Sequence, residues 1–148
     1  MSASATVGKG IYYQAVPPFQ GDSRRASATL RLQPTPQIEA NLSYTFSDFF
    51  RGSDGEKMYE YHIGRVRLTY QLNRYLFFRA ITEYNRFRNQ FLTDFLASFT
   101  YVPGTVAHAG YGSMYEKVRW DCTDYVASDR FLETRRGFFF KVSYLWRI

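Results

Sequence analysis

Residues 137–148 read GFFFKVSYLWRI, and they alternate. Phe138, Phe140, Val142, Tyr144, Trp146 and Ile148 fall on one side of an extended chain; Phe139, Lys141, Ser143, Leu145 and Arg147 fall on the other. Successive side chains of a strand point to opposite sides, so a period of two marks a strand whose faces meet different surroundings. One face here is wholly apolar and two-thirds aromatic, while the other is mixed and polar. The rest of the chain repeats this pattern.

In RASATLRLQ, Ala28, Leu30 and Leu32 oppose Ser27, Thr29 and Arg31; in QIEANLSYTFSD, Ile38, Ala40, Leu42, Tyr44 and Phe46 oppose Glu39, Asn41, Ser43 and Thr45. GRVRLTYQL sets Val66, Leu68, Tyr70 and Leu72 against Arg65, Arg67, Thr69 and Gln71, and FLTDFLASFTY presents Phe95, Ala97, Phe99 and Tyr101. LFFRAITEYN is less clean, because Phe77 and Ile81 share a face with Arg79 and Glu83. Strands are expected near 26–33, 37–48, 59–72, 76–87, 91–101, 105–115 and 136–148, with a weaker one near 9–16 and almost no helix. Most are about nine to twelve residues long, whereas globular strands average about five or six and a tilted bilayer crossing needs about nine to eleven. The connections at Pro34–Pro36, Asn73–Tyr75 and Val102–Gly104 are tight, while FFRGSDGEKM and EKVRWDCTDYVASDRFLETRR are long and charged. Alternating short and long connections suit the two ends of an outer-membrane barrel.

Composition narrows the classes. Aromatic residues make up 20% of the 148, yet mean hydropathy is −0.38, so apolar and polar surfaces must lie close together. A net charge of +6 suits nucleic acid, anionic lipid or a polar lumen and does not choose among them. The single Cys122 excludes an intrachain disulfide framework and a multi-cysteine zinc site. No apolar run is long enough for a membrane-spanning helix. The start, MSASATVGKG, has no apolar core of a signal peptide, so a signal for export would lie upstream. A C-terminal fragment is therefore expected.

Three-residue tight turns would set Leu32 opposite Ile38, Tyr70 opposite Phe78 and Phe99 opposite Thr105. Arg31 would then face Glu39, and Arg65 would face Glu83, all on the polar side. Opposite charges across a ladder stabilise it modestly, and two separate hairpins give the same kind of pair.

LRLQPTPQIEANLSYTF, RLTYQLNRYLFFRAITEYN, FLASFTYVPGTVAHAGYGS and FFFKVSYLWR resemble the C-terminal barrel of a bacterial outer-membrane family. In that family a module similar to carbohydrate-binding family 9 precedes a barrel domain of unknown function. The resemblance covers most of residues 25–148; its most distinctive parts are Y-x-PGTV followed by GY, and the closing FxKxSYLxR. It implies a barrel of more than eight strands and a sugar-binding module upstream, and it carries over no catalytic residue. The alternating aromatic ending also resembles the terminal signal of outer-membrane proteins, with Ile148 where Phe is usual.

Several other residue groups suggest chemistry but have plainer structural roles. Ser98 and His108 face one another in this register, but no acid stands ready to orient the histidine, so a polar lumen pair is the simpler reading. His62 near Glu56 and Glu60 could be taken for a metal site, although a lone histidine in a charged loop is usually just solvated. Gly110–Gly112 opens no helix and so is no phosphate cradle. Nucleic-acid binding would want aromatics and cations on one surface, and here they are segregated.

The expected fold is all-β: an antiparallel up-and-down transmembrane β-barrel, or the C-terminal part of a larger one, with seven or eight strands. Residues 1–24 are expected as a weak strand and loop, and 25–148 as the barrel segment. Arg31, Glu39, Arg65, Arg67, Arg79, Glu83, Ser98, His108 and Lys141 are expected in the lumen; Phe138, Phe140, Val142, Tyr144, Trp146 and Ile148 are expected toward lipid. The function expected is a membrane anchor or pore in a Gram-negative outer membrane, linked to saccharide binding or uptake by an upstream module. The expected partners are outer-membrane lipid, the barrel-assembly machinery and, through that module, a saccharide; no cofactor or nucleic acid is expected. The alternatives are the membrane-anchored part of a glycan-processing enzyme, or a soluble basic sheet that binds nucleic acid.

Overall fold

In the computed structural model, residues 1–13, 17–102, 104–121 and 125–145 are described. Among them the chain forms eight strands and no helix: β1 (Ser2–Tyr12), β2 (Phe19–Thr35), β3 (Ile38–Arg51), β4 (Lys57–Gln71), β5 (Leu76–Asn85), β6 (Gln90–Val102), β7 (Thr105–Trp120) and β8 (Tyr125–Ser143). Each strand pairs antiparallel with its neighbour in sequence, giving one up-and-down sheet. β1 and β8 are its two edges and make no contact with each other, so the described sheet is open.

The alternating segments form strands as expected, but the ladder corrects several details. Arg65 lies opposite Glu83 and Tyr70 opposite Phe78. Leu32, however, faces Ala40 rather than Ile38, and Arg31 faces Asn41 rather than Glu39. β2 runs on to Thr35, which pairs with Ile38 beyond an irregularity spanning Pro34. Proline has no N–H to give the ladder, and a bulge there takes up the residues assigned to a turn. Phe99 lies opposite Ala107 rather than Thr105, because β6 continues to Val102 and Val102 itself pairs with Thr105.

Strand lengths differ more. β1 begins at Ser2 rather than near residue 9, and of the weak strand near 9–16, residues 14–16 lie outside those described. SASATVGKGIY is small and exposed, so no hydrophobic period marks it; main-chain pairing to β2 holds it. The stretch read as a long loop after Tyr115 is mostly strand, since β7 runs to Trp120 and β8 starts at Tyr125. Register shifts at Met114/Tyr115 and Glu116/Val118 break the period of two there, which hides those strands from a pattern search. Cys122, Trp146, Arg147 and Ile148 lie outside the described residues.

A single layer has little interior. Phe49, 3% exposed, is the only large apolar side chain buried among the described residues. Its ring packs 5.7 Å from Tyr12, 6.4 Å from Phe19 and 5.7 Å from Tyr59, and the cluster continues through Tyr61 to Phe87. Gly21 makes the room: a Cβ there would stand 2.6 Å from the Phe49 ring and 2.1 Å from the Phe50 carbonyl oxygen. The Arg51 guanidinium covers Phe19 from 4.7 Å.

Candidate functional site: two unlike faces of one sheet

The ladder sorts side chains onto two faces, and each face has its own chemistry. On one, Leu32, Ala40, Leu68, Ala80, Phe95, Tyr111 and Phe138 form an unbroken cross-strand row from β2 to β8. Toward the longer connections, a parallel row runs Ala28, Tyr44, Gly64, Tyr84, Phe91 and Tyr115. Toward the tight turns come Ile38, Tyr70, Phe78, Ala97, Ala109 and Phe140, then Leu76, Phe99, Ala107 and Val142. No second layer covers these rows, and most of their large side chains are exposed. Lone exposed apolar residues are ordinary on a soluble protein, whereas a contiguous apolar surface across seven strands is far larger than a folded monomer usually shows to water.

The opposite face is mixed and polar. The Arg31 guanidinium reaches diagonally past Asn41 to Glu39 at 2.6 Å, so the ion pair forms although the register is shifted. Arg65 Nε stands 3.8 Å from Glu83 Oε2. Ser98 lies opposite His108, and His108 opposite Lys141, in one row across β6–β8. Arg67 pairs in the ladder with Ile81, and Arg79 with Thr69 on one side and Leu96 on the other. The sheet thus brings Arg31, Glu39, Arg65, Arg67, Arg79, Glu83, Ser98, His108 and Lys141 to one face. Phe138, Phe140 and Val142 stand on the other.

Packing on the polar face includes one close approach. The Phe139 ring lies over Gly110, where a Cβ would come within 2.1 Å of it. Glycine at this position therefore accommodates an aromatic ring from the next strand. Near it, Arg79 Nε, Ser98 Oγ and His108 Nδ1 are buried and make no hydrogen bond within the chain. Ser98 and His108 are brought opposite each other but not into a hydrogen bond, so the contact that would activate a serine is not made. Among the described residues, no group of three His, Cys, Asp or Glu side chains converges as a metal site would require.

His62 lies on the apolar side, at the end with the longer connections. Its Nδ1 is 2.6 Å from the Tyr44 hydroxyl, and its Nε2 contacts Glu60, which in turn pairs with Lys57. Glu56 is engaged elsewhere, by Arg51 at 2.9 Å. The turn after β3 is held by Asp54, which accepts from the Glu56 N–H at 3.1 Å and from Arg51 Nη1 at 2.9 Å. These bonds, that of the Glu56 N–H first, hold the Asp54 carboxyl below its usual pKa.

Sequence reading missed the Phe49 cluster. Tyr12, Phe49, Tyr59 and Tyr61 follow the polar phase of their strands, where no ring is expected. Gly10 and Gly21, facing one another across β1 and β2, were the available sign of a bulky neighbour. Comparison of the chain with family models, with curated proteins and with solved structures finds no match in any of the three.

Proposed function

We propose that this sheet is a wall segment of a β-barrel in the outer membrane of a Gram-negative bacterium, serving as a membrane anchor or pore. The observation that carries the reading is the continuous exposed apolar face bounded by aromatic rows. On β6, Phe91 and Phe99 are eight residues apart on that face, before the register shift at Thr100/Val102. At ~3.3 Å per residue and a tilt of ~40°, that span corresponds to about 20 Å of membrane thickness, most of the ~25 Å apolar band of outer-membrane barrels. Strands of 10 to 19 residues are long enough to cross and continue beyond it. The polar face with its two ion pairs then lines the lumen.

A bilayer leaves no water to satisfy an open edge, so membrane residence requires β1 and β8 to pair with further strands or with each other. The resemblance noted above supports further strands, with a saccharide-binding module upstream of them. Lys117 and Arg136 share the aromatic face at its β7–β8 end, but Arg65, Arg67 and Arg79 lie on the opposite face, so rings and cations are not interleaved along the sheet as single-strand nucleic-acid binding wants.

Flotation is the test. The chain refolded with lipid vesicles should float with them, resist alkaline extraction and gain β-sheet circular dichroism only when lipid or detergent is present. A chain that folds equally well in water alone would overturn the reading, since its apolar face would then be covered by protein.

A further inference from the structure

Two cations interrupt the apolar face on the β7–β8 side. Arg136 stands opposite Ser113 in the ladder, one row from Phe138, and is exposed. Lys117 lies two positions beyond Tyr115, with Nζ 5.5 Å from the centre of the Phe131 ring. Neither makes an ion pair among the described residues. A charge on a lipid-facing surface is costly unless it lies near the interface or meets a counter-charge.

A cleft of about 640 Å³ opens beside them. Tyr84, Phe91 and Tyr115, of the row nearer the longer connections, and Phe131 of β8 wall it, and Lys117 lines it. Its floor is polar: Thr93 Oγ1 and Ser113 Oγ lie 2.7 Å apart, and Ser113 is 5% exposed. The volume falls in the range of ordinary ligand sites. Glu133 stands opposite Tyr115 in the ladder, and its Oε1 accepts a hydrogen bond from the Tyr111 hydroxyl at 3.2 Å.

We infer that this cleft seats one phosphate-bearing membrane lipid, an acyl chain lying against the aromatic walls and the phosphate between Lys117 and Arg136. The inference rests on the membrane reading above. Apolar walls open to the lipid side suit a hydrocarbon chain. Two cations against one engaged carboxylate suit an anionic headgroup, and both stand by the aromatic row where headgroups begin.

The test uses the full chain in detergent, titrated with phosphatidylglycerol or phosphatidylcholine, with bound lipid counted by native mass spectrometry. Flotation on phosphatidylcholine vesicles serves as the control. One phosphatidylglycerol should be retained in preference to phosphatidylcholine, and Lys117→Gln and Arg136→Gln should each weaken it roughly fivefold while flotation persists. Equal retention of the two lipids, or indifference to both substitutions in a chain that floats, overturns the lipid seat and leaves the membrane reading standing. Failure to float overturns both. Displacement of the lipid by millimolar inorganic phosphate would show that the cations read a free oxyanion, and would also overturn the lipid assignment.

Discussion

The molecule carries aromatic rings on both faces of one sheet and treats them in opposite ways. On the polar face, Phe49 is 3% exposed, packed among Tyr12, Phe19 and Tyr59 with glycines beneath it. On the apolar face, Phe138 and Phe140 are 72% and 66% exposed, with none of the described residues covering them. The same side chain is thus a core residue in one place and a surface residue in the other. On the polar phase the rings around Phe49 gather into a cluster that hides one of them from solvent. On the apolar phase rings meet at most in pairs, such as Phe91 and Tyr115 at 6.2 Å, and most stay exposed, an arrangement that suits a face covered by something other than this sheet.

The sharpest way to break this contrast is to damage the packed side. Phe49→Ala should cost about 3–5 kcal/mol, because it removes the one large apolar side chain buried among the described residues. Gly21→Val should do at least as much harm, since any Cβ there meets the Phe50 carbonyl as well as the Phe49 ring. Phe140→Ala should change stability far less in detergent. Urea titration followed by circular dichroism checks all three, and a Phe140 substitution as costly as that of Phe49 would show that the two faces are alike.

Charge tests the other side. Phe138→Arg places a cation in the central row of the apolar face, level with Phe95, and should cost about 2–4 kcal/mol of membrane insertion, whereas Ser143→Arg, on the polar face, should cost much less. Relative insertion of the two variants into vesicles reads the difference. Equal tolerance, or greater harm at Ser143, would mean that the apolar face meets protein.

Smaller effects sharpen the picture of the polar face. Glu39→Gln and Glu83→Gln should each cost about 0.2–1 kcal/mol, since both pairs are partly exposed and screened. Denaturant midpoints at low and high salt check this. A loss unaffected by salt would show that these pairs are set in a drier surrounding than an aqueous lumen.

What the sequence made legible follows from where period two survives. The halves of β3 and β4 nearer the tight turns alternate cleanly, and although Phe77 and Ile81 blur β5, the charges of Arg65 and Glu83 mark the polar phase, so that pairing could be read directly. β1 carries Ser, Ala and Gly on both faces, and β7 and β8 slip register twice near Tyr115 and Glu116. In such places main-chain pairing, not side-chain pattern, makes the strand. The Arg31–Glu39 pair was anticipated for a register that does not occur, and long side chains rescue it diagonally. The aromatic cleft joins residues of four strands whose alignment depends on those slips, so no linear motif announced it.

The least of the expected effects lies in the loop after β3, beyond both faces. Asp54 accepts from the Glu56 N–H and from Arg51, and both bonds favour its ionised form, so its pKa in the folded loop lies below the usual value near about 3.9. A depressed carboxylate contributes to loop order at pH values above its unfolded pKa, and that contribution is lost as the pH falls through the folded one. The loop should therefore stay closed at neutral pH and loosen only in strong acid. Because the carboxylate is exposed, the effect on global unfolding should be slight. Carbon NMR of the Asp54 carboxyl should give a midpoint below the ordinary aspartate value, and Arg51→Gln should raise it, with the Glu56 N–H keeping it from returning fully. A midpoint at the ordinary value in the unaltered chain would show that the turn is not held by this carboxylate. Gly55, with φ of +71°, would then carry the bend alone, and Gly55→Ala rather than Asp54→Asn would be the change that opens it.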